Sequence, residues 1–109
     1  MKRVAVTGLG VISPVGNDVP TFWNALCSGT CGIGPITKFD ATDYPVKLAA
    51  EVRDFDPKQY MEKLDILHSD VYTHFAMAAA CQAVADSGIA GTLDAERVGV
   101  YIGSGIGGI

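Results

Sequence analysis

Blocks of like charge are missing from this sequence. No five consecutive positions share a sign, and 8 Lys and Arg against 12 Asp and Glu leave a formal net charge of −4. Binding to a phosphate backbone by a basic surface is therefore excluded, and no nucleic-acid partner is expected. Also missing is any uninterrupted run of the roughly 18 to 20 apolar residues that a membrane span needs, so no membrane association is expected either. Cysteine is scarce. Cys27, Cys31 and Cys81 are odd in number and lack the dense spacing of a stapled secreted domain. They predict free, mostly buried thiols, no disulfide and a reducing, cytoplasmic setting. Repeats and low-complexity tracts are absent. Lys2-Arg3 followed by apolar residues mimics a secretion signal, but Thr7, Gly8 and Gly10 interrupt it and no small-x-small cleavage site follows. The mature protein is thus expected to begin at Met1.

What is present is apolar and globular. Hydrophobic residues make up 49% of the 109 positions and charged residues 18%, which excludes a disordered tail or solvated linker and suits one domain. Val4-Ala5-Val6 opens a short apolar run ending at Gly8-Leu9-Gly10, the pattern of a strand covered on both faces. Asp18 or Val19 precedes a helix with Pro20 in its first turn, an apolar stripe of Phe22, Trp23 and Leu26, and Gly29 at its end. Residues 31–43 read as a loop and 46–52 as a second, less buried strand, a reading that Ala49-Ala50 weakens. Asp56-Pro57 starts a helical turn reaching toward Leu64 and Leu67.

The strongest helix signal runs over 69–87. Ser69 is the expected N-cap, Asp70 favours the positive end of the dipole, and Gly88 stands where a left-handed terminal residue belongs. Tyr72, Phe75, Ala76, Ala79 and Ala83 recur at helical spacing, yet Met77, Ala78, Ala80, Cys81 and Val84 make the other faces nearly as apolar. This helix is predicted to be buried almost all round. Its six alanines between 76 and 85 would let another backbone approach closely. A third strand is expected over 97–102, leading into the glycine-rich run 103–109. Strand, helix, strand, helices, strand implies an α/β fold with a parallel or mixed layered sheet.

No catalytic set is visible in these residues. Gly103-Ser104-Gly105-Ile106-Gly107-Gly108 formally matches G-x-G-x-x-G, but no helix follows and no acidic residue lies about 20 positions on to hold a ribose. A glycine turn is the better reading, with Ser104 a turn serine, and no cofactor is expected. His68 and His74 are separated by roughly 240° around a helix, so they cannot share a metal, and both are expected at a surface or interface. Cys27 and Cys31 lack further ligands and are read as packing thiols. No metal site is expected. Cys27 falls near a helix C-terminus, where the dipole opposes a thiolate.

Taken together, Val4-Ala5-Val6-Thr7-Gly8-Leu9-Gly10-Val11-Ile12-Ser13-Pro14-Val15-Gly16-Asn17, then Phe22-Trp23 with Leu26, Gly29 and Gly32-Ile33, then Asp86-Ser87-Gly88, and finally 103–108 resemble the N-terminus of the β-ketoacyl-acyl-carrier-protein synthases. The likeness spans essentially the whole chain, in register, and lies closest to the type II condensing enzymes of bacterial fatty-acid synthesis. It implies that 1–109 is an incomplete N-terminal segment of a thiolase-like αβαβα fold whose full-length parent is a homodimer. It implies a reaction too: an acyl group moves from carrier protein to a cysteine, malonyl-carrier protein loses CO2, and the resulting carbanion attacks the thioester. The cysteine and two histidines that such chemistry needs would lie beyond position 109, so the 109 residues alone are expected to be inactive.

One position carries a role over. Ile106 matches the residue that borders the acyl-chain pocket near the dimer interface, with simple core packing as the alternative. The acyl carrier protein is the implied partner. Family members commonly dock it with a basic stretch before the long helix, whereas 63–70 here keeps Asp70 and loses most of the positive charge. Docking through that segment is correspondingly weakened. Two other readings share the opening motifs: a non-catalytic dimerisation or binding module, and a segment of a polyketide ketosynthase or its chain-length-factor-like partner.

Overall fold

The computed structural model describes residues 2–108. Met1, the expected first residue, and Ile109, the last of the glycine-rich run, lie outside them. The chain divides into two units, Val11–Phe55 and Met1–Gly10 with Asp56–Ile109.

In the Val11–Phe55 unit, Ser13 and Gly16 exchange backbone hydrogen bonds of 2.9 and 3.2 Å, closing a tight turn. Helix α1, Val19–Cys27, follows. Asp18 is its N-cap: Oδ1 accepts from the Thr21 amide at 2.8 Å and Oδ2 from the Thr21 hydroxyl at 2.9 Å. Pro20 in the first turn forfeits only an amide that no helical carbonyl would have met. At the other end Gly29 adopts φ +68°. The Gly29 amide donates to the Leu26 carbonyl and that of Thr30 to Ala25, the paired bonds of a Schellman cap. Both predicted helix boundaries are therefore met.

The predicted strand over 46–52 shrinks to β2, Leu48–Ala49, which pairs antiparallel with β1, Gly34–Pro35, in the register Gly34 to Ala49 and Pro35 to Leu48. β1 falls inside the segment expected to be loop. Pro35 has no amide to donate, which helps keep the ladder this short.

The second unit is built around helices. A 3-10 turn, Pro57–Gln59, is capped by Asp56, and α2, Lys63–Leu67, follows. The long helix α3 spans Val71–Ser87 and ends on Gly88 at φ +63°, as its sequence predicts. Its N-cap is Asp70, not Ser69, because the Ser69 hydroxyl turns back to donate to the Asp65 carbonyl of α2. The alanines do admit a close backbone. A Cβ on Gly10 would stand 2.9 Å from the Ala79 carbonyl carbon and the Ala83 amide, and one on Gly8 would stand 2.6 Å from the Ser87 amide. The Leu9 amide between them donates to Asp86 Oδ2 at 3.0 Å.

Three expectations fail among the described residues. The apolar run from Val4 forms no ladder, and Val4 is 95% exposed. The strand over 97–102 is likewise absent: a 3-10 turn, Ala95–Arg97, occupies its start, and Tyr101 beyond it is 97% exposed. A strand exists only with a hydrogen-bonding neighbour, and no described residue provides one to either run, so the layered α/β sheet does not form here. α3 is not buried all round either. His74 and Ala78 are its buried residues, while Tyr72, Met77 and Val84 stay exposed for want of a cover. No helix among the described residues is long and apolar enough to cross a membrane.

Candidate functional site

The glycine-rich segment 103–108, which carries Ile106, takes the geometry of a turn against the start of α3. The Gly107 amide donates to Ser104 Oγ at 2.9 Å, so Ser104 is a turn serine. Gly107 adopts φ +84°, a conformation that favours glycine. Its α-carbon faces the Tyr72 ring, since a Cβ there would come within 3.8 Å of Cε1. Gly108 lies so close to Asp70 that an added Cβ would meet the Asp70 Cβ at 2.8 Å. Among the described residues, 103–108 form a bend and contain no helix. Ile106 is 79% exposed on it, so no core packing of that side chain occurs among the described residues.

The candidate nucleophiles are scattered. Cys27, Cys31 and Cys81 are free thiols as expected, but all three are exposed, not buried. Cys27 closes α1, at the negative end of its dipole. The Cys31 thiol points to the Ile33 carbonyl at 3.9 Å. Cys81 sits mid-helix beside an apolar hollow formed with Val84, Ala85, Gly88 and Ala90. None is hydrogen-bonded to a histidine. His68 is exposed at the end of α2, as expected. His74 is not at a surface: it is 8% exposed, and its Nε2 donates to the Ile66 carbonyl at 3.3 Å. It is a satisfied core histidine tying α3 to α2. No cluster of three or more His, Cys, Asp or Glu able to hold a metal exists among the described residues.

Segment 63–70, the carrier-docking candidate, contains α2 with Leu64 and Leu67 exposed, and Asp65 and Asp70 follow its lone Lys63. It offers an apolar, mildly acidic surface.

The Val11–Phe55 unit contains polar ties that sequence reasoning missed. The Glu51 carboxylate accepts from the Thr37 hydroxyl at 2.7 Å, from the Thr37 amide at 3.1 Å and from the Lys38 amide at 3.4 Å. The Thr37 hydroxyl bond chiefly holds its carboxyl below the ordinary range, against a smaller opposing effect of desolvation. Asp40 is lowered in the same way by the Thr42 hydroxyl and amide. Asn17 Nδ2 donates to the Arg53 carbonyl at 2.7 Å. Thr37 and Glu51 are 14 positions apart, too far for any local spacing rule to pair them. The Asp40-x-Thr42 turn was legible in principle from its Asx pattern. All of these ties hold backbone in place and none presents a reactive group.

Among the described residues the arrangement contains a glycine-framed apolar side chain and no catalytic constellation. The profile of the β-ketoacyl synthase N-terminal domain matches residues 1–109. A 3-oxoacyl-[acyl-carrier-protein] synthase 2 of Coxiella burnetii is 52% identical over 109 residues, covering 99% of this chain and 26% of its own. Proteins of that name from Vibrio harveyi and a Synechocystis species are 49% and 45% identical over the same shares. Among solved structures, the ishigamide ketosynthase/chain length factor is similar with a TM-score of 0.70 and 34% identity, over 86% of this chain and 22% of that one. The chain therefore spans about a quarter, 26%, of the length of the curated relatives it matches.

Proposed function

The chain belongs to the β-ketoacyl synthase N-terminal-domain family, and from that premise we propose that it is the N-terminal segment of a 3-oxoacyl-acyl-carrier-protein synthase of fatty-acid elongation. The observation that carries this reading is the 52% identity to a 3-oxoacyl-[acyl-carrier-protein] synthase 2 across 99% of the chain. The parent condenses an acyl thioester with malonyl-acyl-carrier protein. Loss of CO2 from the malonyl group leaves a carbanion, which forms the new C–C bond at the acyl carbonyl as the enzyme's thiolate departs. Residues 1–109 form an incomplete domain of a thiolase-like αβαβα fold in a homodimer, and the acylated cysteine and the histidines lie outside them. Three observations support that division: exposed Cys27, Cys31 and Cys81 lack a base, His74 is committed to the Ile66 carbonyl, and the apolar runs at 4–6 and 100–102 lack strand neighbours.

Ile106 forms a wall of the acyl pocket, its exposed side chain framed by glycines that admit neighbouring backbone. The acyl carrier protein is the partner, and its docking through 63–70 is weakened because Asp65 and Asp70 there outnumber Lys63. The test is a condensation assay on the protein that contains this chain, with malonyl- and acyl-carrier protein. CO2 release matched by a 3-oxoacyl product two carbons longer is expected, and residues 1–109 alone should give neither. Turnover by the 109 residues would overturn the reading.

A second reading is favoured by the likeness to the ishigamide ketosynthase/chain length factor: a polyketide ketosynthase or its catalytically silent partner. Malonyl units added repeatedly, without reduction between additions, would select it.

A further inference from the structure

We draw no further inference here: the strongest candidate, the exposed apolar runs 4–6 and 100–102 in the unit that carries the long helix, is an unpartnered face on which nothing in the structure shows what covers it.

Discussion

The two units hold their non-helical segments in place differently. In Val11–Phe55, polar side chains reach backbone amides and carbonyls: Asp18 caps α1, Glu51 gathers the amides of Thr37 and Lys38, and Asn17 grips the Arg53 carbonyl. In the other unit the segment before α1 is held where side chains are absent, with Gly8 and Gly10 laid directly on α3 and the Leu9 amide donating to Asp86. The first device joins backbone segments within its own unit, Thr37 to Glu51 and Asn17 to Arg53. The second fastens an extended segment to one face of a helix and leaves its apolar residues, Val4 and Val6, facing outward. Neither device covers the apolar side chains beside it: Trp23, Ile33 and Val46 are exposed in the first unit, as Val4 and Val6 are in the second.

That contrast predicts where substitutions hurt. The largest effect is expected from Gly10→Ala, whose Cβ would press on the Ala79 carbonyl and the Ala83 amide. A clash with helix backbone cannot be relieved by a rotamer change and should cost about 3 kcal/mol, read as a lowered urea midpoint. A stability change near zero would mean that the segment does not lie on α3 at all. Gly29→Ala and Gly88→Ala sharpen the comparison because they alter the same device in both units. Each sits in open space at positive φ, 68° and 63°, so each should lose about 1 to 2 kcal/mol from left-handed strain alone. Unequal losses would reveal that one helix end is less fixed than the other.

Asp18→Ala should cost about 1 kcal/mol by stripping the α1 cap, with Asp18→Asn recovering most of it. The smallest effect concerns Glu51. Its carboxyl titrates lower when folded than when unfolded, so the unfolded chain binds more protons as the solution is acidified. The stabilisation is full above the ordinary carboxylate range and is lost as pH falls through the folded value. Glu51→Gln should flatten this acid-side dependence in urea melts repeated across pH while leaving the slope at neutral pH unchanged. An unaltered acid slope would show that the Thr37 contacts do not persist in solution.

How much of this was legible in the sequence depended on the range over which each feature is determined. Helix ends are decided within a few residues, and Asp18, Pro20, Gly29 and Gly88 mark theirs correctly. Ser69 misled because a second acceptor, the Asp65 carbonyl one turn back, competed for its hydroxyl. Strands are decided by neighbours distant in sequence. The apolar runs near Val4 and Val100 carry strand composition but no ladder among the described residues, whereas β2, Leu48–Ala49, lies inside the strand expected over 46–52 and its partner, Gly34–Pro35, inside the segment expected to be loop. Burial of the thiols and of α3 failed for the same reason, since it required a cover that periodicity alone cannot provide. Ser104 as a turn residue was legible because its hydrogen bond spans only three positions.

Under the proposed function, residues 1–109 frame an acyl pocket whose reactive sulfur lies outside them. This is tested most directly by loading the whole protein from an acyl-carrier-protein thioester and locating the acylated peptide by mass spectrometry. A single acylated cysteine outside residues 1–109 is expected, with Cys27, Cys31 and Cys81 unmodified. Stoichiometric acylation at any of those three would contradict it.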